Sequence, residues 1–200
     1  MEFIETIRIK NGRPENMEGH IERMRTTAEH FGFLPPKVPE LSVIMPGYLK
    51  TGLTKCRLLY DRLIREIKFE AYKPKKISSF VLVDAGSLDY AFKYADRRVL
   101  ECEDRKFNGF EEVIFLKDGF LTDTSFSNIV FRKGKEFVTP TTFLLNGTRR
   151  QYLLKSGHIK EEEVHMTELG EYDELILINA MMGLKDGLHF PPSVLRAEGE

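Results

Sequence analysis

The chain opens on a β-branched run that gives way to a helical spacing. "FIETIRIKNG" (3–12) is rich in Ile and Thr and closes on Asn-Gly, which predicts a strand entering a tight turn. In "GHIERMRTTAEHFGF" (19–33), Ile21, Met24, Ala28 and Phe31 recur at helical spacing, and Gly32 marks a stop. Prolines punctuate 34–50, leaving room for one short helix. Three strand-like segments follow: "KCRLLYDR", "REIKFEAYK" and "SSFVLVDA". "ADRRVLECEDR" (95–105) reads as helix. "EEVIFLKDGFLTDTSFSNIVFRKGKEFVTP" (111–140) reads as a meander turning at Asp118-Gly119 and Lys133-Gly134. A helix is expected to begin just after Gly147 and stop at Gly157, and a last strand to end at Asn179. The order of elements predicts an α+β protein in two lobes. We expect an N-terminal α/β lobe over 1–82 and a β-rich C-terminal lobe with helices over 83–200, the connection falling between 74 and 90.

Composition narrows the function classes. The 200 residues are 42% apolar and 30% charged, as in an ordinary globular protein. A formal charge of -1 offers no basic field for a nucleic acid. The longest apolar stretches, such as Leu175 to Ile178, are strand-sized, so no membrane partner is expected. The start "MEFIETIRIKNG" puts charges where an export signal needs an apolar core. Cys56 and Cys102 are too few for a disulfide framework. They have no metal-ligand spacing, and neither do His20, His30, His158, His165 and His189, so no metal is expected. These features point to the cytoplasm.

Several polar residues are candidates for chemistry, each with a plainer explanation beside it. Lys93 lies between Phe92 and Tyr94, either as a surface cation leaning on rings or as an amine held in a partly dry site. Arg23 follows His20 on one face of the first helix, where a solvated charge is the commoner case. Gly147 and Thr148 open a helix, whose first-turn N–H groups and dipole favour a phosphate. "LTDTSFSNIVF" places Asp123, Ser125, Ser127 and Asn128 at or near the start of a strand, where turn chemistry is the usual reason for such clusters. "INAMMGL" follows a buried-looking strand.

Taken in order, these stretches resemble the fold type IV pyridoxal-phosphate enzymes of the class IV aminotransferase family, whose architecture is that of D-amino-acid aminotransferase. Thr6 and Arg8 stand in that family's "F-x-T-x-R", "HIER" in its "H-x-x-R", and "KYADR" in its "K-x-x-N/D-R". "TDTSFSN" matches "T-E-x-x-x-x-N", followed by "TP" at 139–140 and "NGTRR" for "G-I-T-R". The versions at Asn146 and Asn179 are most similar to the aminodeoxychorismate lyase branch. The resemblance implies that Lys93 binds the aldehyde of pyridoxal 5'-phosphate and then shuttles protons. It implies that Arg23 clamps the phosphate, together with the backbone of Gly147, Thr148 and Arg149. Asn128, Asn179 and Ala180 would complete the cofactor pocket, and Asp123, in place of the family's glutamate, would hold the ring nitrogen protonated. Thr6, Arg8 and Tyr72 are the substrate-side candidates. The implied partners are a small amino substrate and a second copy of the chain in a homodimer. The implied activity is that of a 4-amino-4-deoxychorismate lyase, releasing 4-aminobenzoate and pyruvate. An aminotransferase for branched-chain or D-amino acids, and a homologue that binds the cofactor without turnover, are the alternatives. The chain begins at the strand carrying Thr6 and Arg8, where the family has a further strand and a glycine-containing loop, so it is expected to be N-terminally short.

Overall fold

The computed structural model describes residues 1–101 and 112–197. The chain divides into two compact units, one of residues 1–74 with 92–96, the other of 75–91 with 97–200.

In the first unit, β1 (Phe3–Lys10) and β2 (Arg13–Pro14) are joined by Asn11 and Gly12, both at positive φ (48° and 76°). That pairing of angles is the one an Asn-Gly hairpin turn adopts with least strain. Helix α1 (Met17–His30) and the single turn α2 (Leu41–Ile44) precede β3 (Leu53–Tyr60) and β4 (Ile64–Ala71). The strands form an antiparallel sheet in the order β2-β1-β3-β4. Because successive side chains alternate between faces, the register assigns each residue a side. Phe3, Glu5, Ile7 and Ile9 share one face with their partners Tyr60, Leu58, Cys56 and Thr54. This is the core face. Phe3, Leu58 and Tyr60 pack with Met24 of α1, and Ile7, Ile9 and Cys56 pack with Leu41 and Met45. Each such side chain contributes roughly 1.5–3 kcal/mol when fully buried.

The inward stripe of α1 differs from the expected one. His20, Met24, Thr27 and Ala28 are buried, whereas Ile21 is 51% exposed. The reason lies in β1. Glu5 sits in the middle of its apolar face with no exposure, and a buried carboxylate needs polar partners. The helix is therefore rotated to bring His20 and Arg23 to it. Segment 92–96 docks on the start of β1: the Ile4 N–H donates to the Lys93 carbonyl (3.0 Å), and the Ala95 N–H to that of Glu2 (2.9 Å). The rings of Phe92 and Tyr94 join a cluster with Phe31, which Phe3 also enters.

In the second unit, β5 (Phe80–Asp84) and the short α3 (Arg98–Glu101) precede β6 (Glu112–Lys117), β7 (Phe120–Thr124), β8 (Asn128–Lys133) and β9 (Glu136–Pro140). Then come α4 (Thr148–Lys155), β10 (Lys160–Glu162), β11 (Glu174–Ile178), β12 (Leu188–Phe190) and β13 (Leu195–Ala197). One mixed sheet runs β10-β9-β8-β7-β6-β5-β13, with β11 pairing along β8 and carrying β12 on its other edge. The expected turn forms at Asp118-Gly119, and the second forms one residue later than expected, at Gly134-Lys135, because Lys133 still pairs with Glu136. The run "ELILI" of β11 is buried on both faces: Leu175 and Leu177 face Ile129 and Phe131, while Ile176 and Ile178 meet Val130 and Leu153 of α4. That two-sided burial is why β11 shows no polar alternation. Only Arg98–Glu101 of the helix expected over 95–105 is helical here, and the stretch from Cys102 onward lies outside the described residues. Among the described residues, no helix is long and apolar enough to cross a membrane, and no cluster of His, Cys, Asp and Glu could hold a metal ion.

Candidate active site

The first unit holds a polar cluster beneath its sheet. Glu5 Oε1 accepts from Arg23 Nε (2.8 Å), and Oε2 accepts from Arg23 Nη2 (2.5 Å) and faces His20 Nδ1 at 2.6 Å. Burial pushes the Glu5 carboxyl up, but the charge of Arg23 and the bonds from both partners outweigh it and hold the group at about 2. His20 is pushed below its ordinary value, by burial first, with Arg23 and Lys93 adding positive charge against the pull of Glu5. A neutral His20 therefore donates Nδ1–H to an ionised Glu5. The Nε–Nη2 edge of Arg23 is taken by Glu5. Lys93 is half-buried on the segment docked along β1.

On the sheet's other face lie the three substrate-side candidates. Thr6 pairs with Arg57 and Arg8 with Lys55, and Tyr72 continues the register of β4 through its N–H bond to Leu53 (2.9 Å). The same alternation places Lys55 and Arg57 on that face. Each of these cations has a carboxylate partner: Arg8 meets Glu15 at 3.1 Å, Arg57 meets Glu66 at 3.8 Å, and Lys55 meets Glu70, which stands opposite it in the register.

The second unit binds its own set together. Asp123 and Asn128 were expected near the start of one strand. Asn128 does open β8, whereas Asp123 lies at the end of β7, directly opposite it. The Thr124 hydroxyl accepts from the N–H groups of Phe126 and Ser127, which closes the chain into a turn between them. Asn128 Nδ2 donates to Asp123 Oδ1 (2.7 Å) and to the Leu145 carbonyl (2.8 Å). Asp123 Oδ2 accepts the N–H groups of Leu144 (3.0 Å) and Leu145 (2.8 Å). Burial pushes this carboxyl up to about 6, since the neutral donors around it and the charge of Arg150 only partly offset desolvation.

The Asp123 cluster continues into the helix start. A Cβ on Gly147 would lie 2.1 Å from Asn128 Oδ1, so only glycine permits this approach. Gly147 is also the N-cap of α4 and brings no side chain to cap the first turn. Arg149 Nη2 donates to the Ala180 carbonyl (3.2 Å), and Asn179 Nδ2 to the Ser127 hydroxyl (3.1 Å). The turn after β11 is thereby tied to both α4 and the β7–β8 turn. Sequence reasoning missed two residues. Arg150, 1% exposed, donates to the Pro140 carbonyl (2.9 Å), Glu161 (2.6 Å) and Asn146 (3.2 Å), bracing the loop that supplies the Leu144 and Leu145 N–H groups. Glu5 was the other, and its signal was a lone carboxylate inside "FIETIRI".

The model of the family described as Amino-transferase class IV matches residues 2–186. The chain belongs to the class IV aminotransferase family. Its architecture is that of the fold type IV pyridoxal-phosphate enzymes. An uncharacterized protein of Haemophilus influenzae is 34% identical over 185 residues, covering 91% of this chain and 98% of that one. The aminodeoxychorismate lyase of Saccharomyces cerevisiae is 37% identical over 157 residues, which span 70% of this chain and 41% of the yeast protein. A crystal structure named as a "putative 4-amino-4-deoxychorismate lyase" from Haemophilus somnus superposes with a TM-score of 0.75 at 28% identity, covering 92% and 97% of the two chains.

Members of the class IV aminotransferase family bind pyridoxal phosphate. The residues present suit such a group. In the first unit, a half-buried amine and the guanidinium of Arg23 are groups of the kind that take an aldehyde and a phosphate. In the second unit, the start of α4 at Gly147 has no side-chain cap, as suits an anion. Asp123 Oδ1 accepts one bond from Asn128, and a carboxylate oxygen can accept a second, which suits a ring N–H.

Proposed function

We propose that this chain is a pyridoxal-phosphate-dependent lyase acting on 4-amino-4-deoxychorismate, with 4-aminobenzoate and pyruvate as products. The observation that carries this choice of substrate is the similarity to the yeast aminodeoxychorismate lyase, 37% identical over 157 residues. In this reading the sheet face bearing Thr6, Arg8 and Tyr72, with Lys55 and Arg57 beside them, is the substrate side.

In this proposal Lys93 binds the cofactor and moves the proton at the substrate α-carbon. Arg23, with the backbone of Gly147, Thr148 and Arg149, holds the phosphate, and the turn at Asn179 and Ala180 buttresses that end. Asn128 orients Asp123 toward the ring nitrogen. When bound, the cofactor supplies an electron sink for negative charge developing at the α-carbon, and a carboxylate at the ring nitrogen deepens it. A homodimer belongs to the same proposal, and light scattering tests it.

Incubation of the full chain with pyridoxal phosphate, borohydride reduction and peptide mapping should place a pyridoxyl label on Lys93. The loaded protein should then release fluorescent 4-aminobenzoate from 4-amino-4-deoxychorismate. Amine exchange between an amino acid and a keto acid, without 4-aminobenzoate release, would assign the aminotransferase activity instead.

A further inference from the structure

Glu5 falls on an unspecified position of the motifs that led to the cofactor proposal, yet it is the residue on which Arg23 is mounted. It occupies the centre of the core face of β1, between Phe3 and Ile7, with no exposure. A leucine there would continue the apolar pattern, and a well-packed apolar group often stabilises a core as well as a buried ion pair does. The carboxylate is instead held by three contacts: Nε of Arg23 on Oε1, and Nη2 of Arg23 with Nδ1 of His20 on Oε2. It cannot rotate without breaking at least one of them. The guanidinium is planar, so pairing along its Nε–Nη2 edge fixes both its plane and the direction in which the Nη1–Nη2 edge points.

We infer that Glu5, steadied by His20, is a positioning residue that aims Arg23 at the phosphate of the cofactor. The inference rests on the cofactor reading above. Two effects of opposite sign meet at this residue. Its negative charge weakens the field that attracts an anion, while its grip on the guanidinium removes the cost of ordering Arg23 when the anion arrives. Positioning wins if removing the charge weakens phosphate binding, and charge alone predicts the reverse.

The test is an equilibrium titration of the full chain with pyridoxal phosphate and with pyridoxal, which lacks the phosphate. The preference for pyridoxal phosphate isolates the phosphate contribution from any general loosening of the fold. Glu5→Gln keeps the shape of the side chain and removes its charge, and the preference should fall about tenfold, the scale on which loss of a group orienting a ligating residue is felt. An unchanged or increased preference overturns the inference, as does an equal loss for both ligands. Arg23→Lys keeps the positive charge but has no planar fork for Glu5 to hold, and it leaves Glu5 neutralised should Glu5→Gln fail to fold. It should lose the preference to a similar degree, and Glu5→Gln added to it should cause no further loss. Retained preference in Arg23→Lys shows that charge suffices and overturns the inference. Failure of the underlying reading is distinct: it shows as absence of a pyridoxyl label on Lys93 in the parent chain.

Discussion

Glu5 and Asp123 are both carboxylates buried in a core, and they end with opposite acidities. Glu5 is held at about 2 and Asp123 is pushed up to about 6. Burial is the largest influence on each and acts in the same direction. The difference lies in what answers it. Glu5 meets the full charge of Arg23 along two hydrogen bonds, with His20 as a third contact. Asp123 is bonded by an amide and two backbone N–H groups, all neutral, and Arg150 reaches it only through its field. Dipoles orient a carboxylate well but do not replace the hydration of its charge. In the proposed function this suits each residue: Glu5 needs to remain an anion to steer Arg23, while Asp123 is completed by a cationic ring N–H.

The largest effect should come from removing the counter-charge in the first unit. Arg23→Ala leaves Glu5 buried without its main partner and should cost about 3–5 kcal/mol in urea denaturation, with Glu5 rising well above its present acidity. The double variant Glu5→Leu/Arg23→Ala should regain most of that loss. If it does not, the cluster was contributing packing rather than charge.

The next test uses pH, and the two carboxylates have opposite signs. Asp123 is raised in the folded state from 3.8 to about 6, so its contribution is full below pH 3.8 and is lost as pH rises through 6. The change is about 3 kcal/mol by linkage. Glu5 is lowered from 4.5 to about 2, so its contribution is full above pH 4.5 and is lost as pH falls through 2. Denaturation of the parent and of Asp123→Asn between pH 3 and 8 should show the parent's advantage shrinking as pH rises. The advantage of the parent over Glu5→Gln should grow as pH rises from 2 to 4.5. A flat Asp123 comparison would mean that its neutral donors already match water.

Gly147→Ala sharpens the second half of the comparison. The new methyl would force Asn128 away from its contacts with Asp123 and Leu145, at a cost of about 1–3 kcal/mol measured by thermal unfolding. The smallest effect is the control. Arg25, two residues from Arg23, pairs with Glu22 and Glu29 on the exposed side of α1. Arg25→Ala should leave the melting temperature unchanged, because water already solvates those charges.

Much of the framework is legible because it is local. Asn11-Gly12, Asp118-Gly119 and Gly157 take positive φ as their residue types favour, so the turn and stop signals needed no knowledge of the rest of the chain. β3, β4 and β5 likewise follow from short runs of strand-forming residues. The start of α4 after Gly147 was readable for the same reason. The inward stripe of α1 was not. Ile21 is as apolar as Met24, and nothing within the helix says that His20 rather than Ile21 must face a strand.

What the order of residues determined by itself, then, is where strands, turns and helix starts fall, since these depend on backbone preferences within a few neighbours. The tertiary structure decided which polar groups are held, and by what. Glu5 finds Arg23 eighteen positions away, and Asp123 finds the N–H groups of Leu144 and Leu145 more than twenty away. An acidity set by such contacts exists only after the chain has closed those loops and expelled the water between their ends. The same two carboxylates in an open chain would differ only by the small intrinsic gap between Asp and Glu.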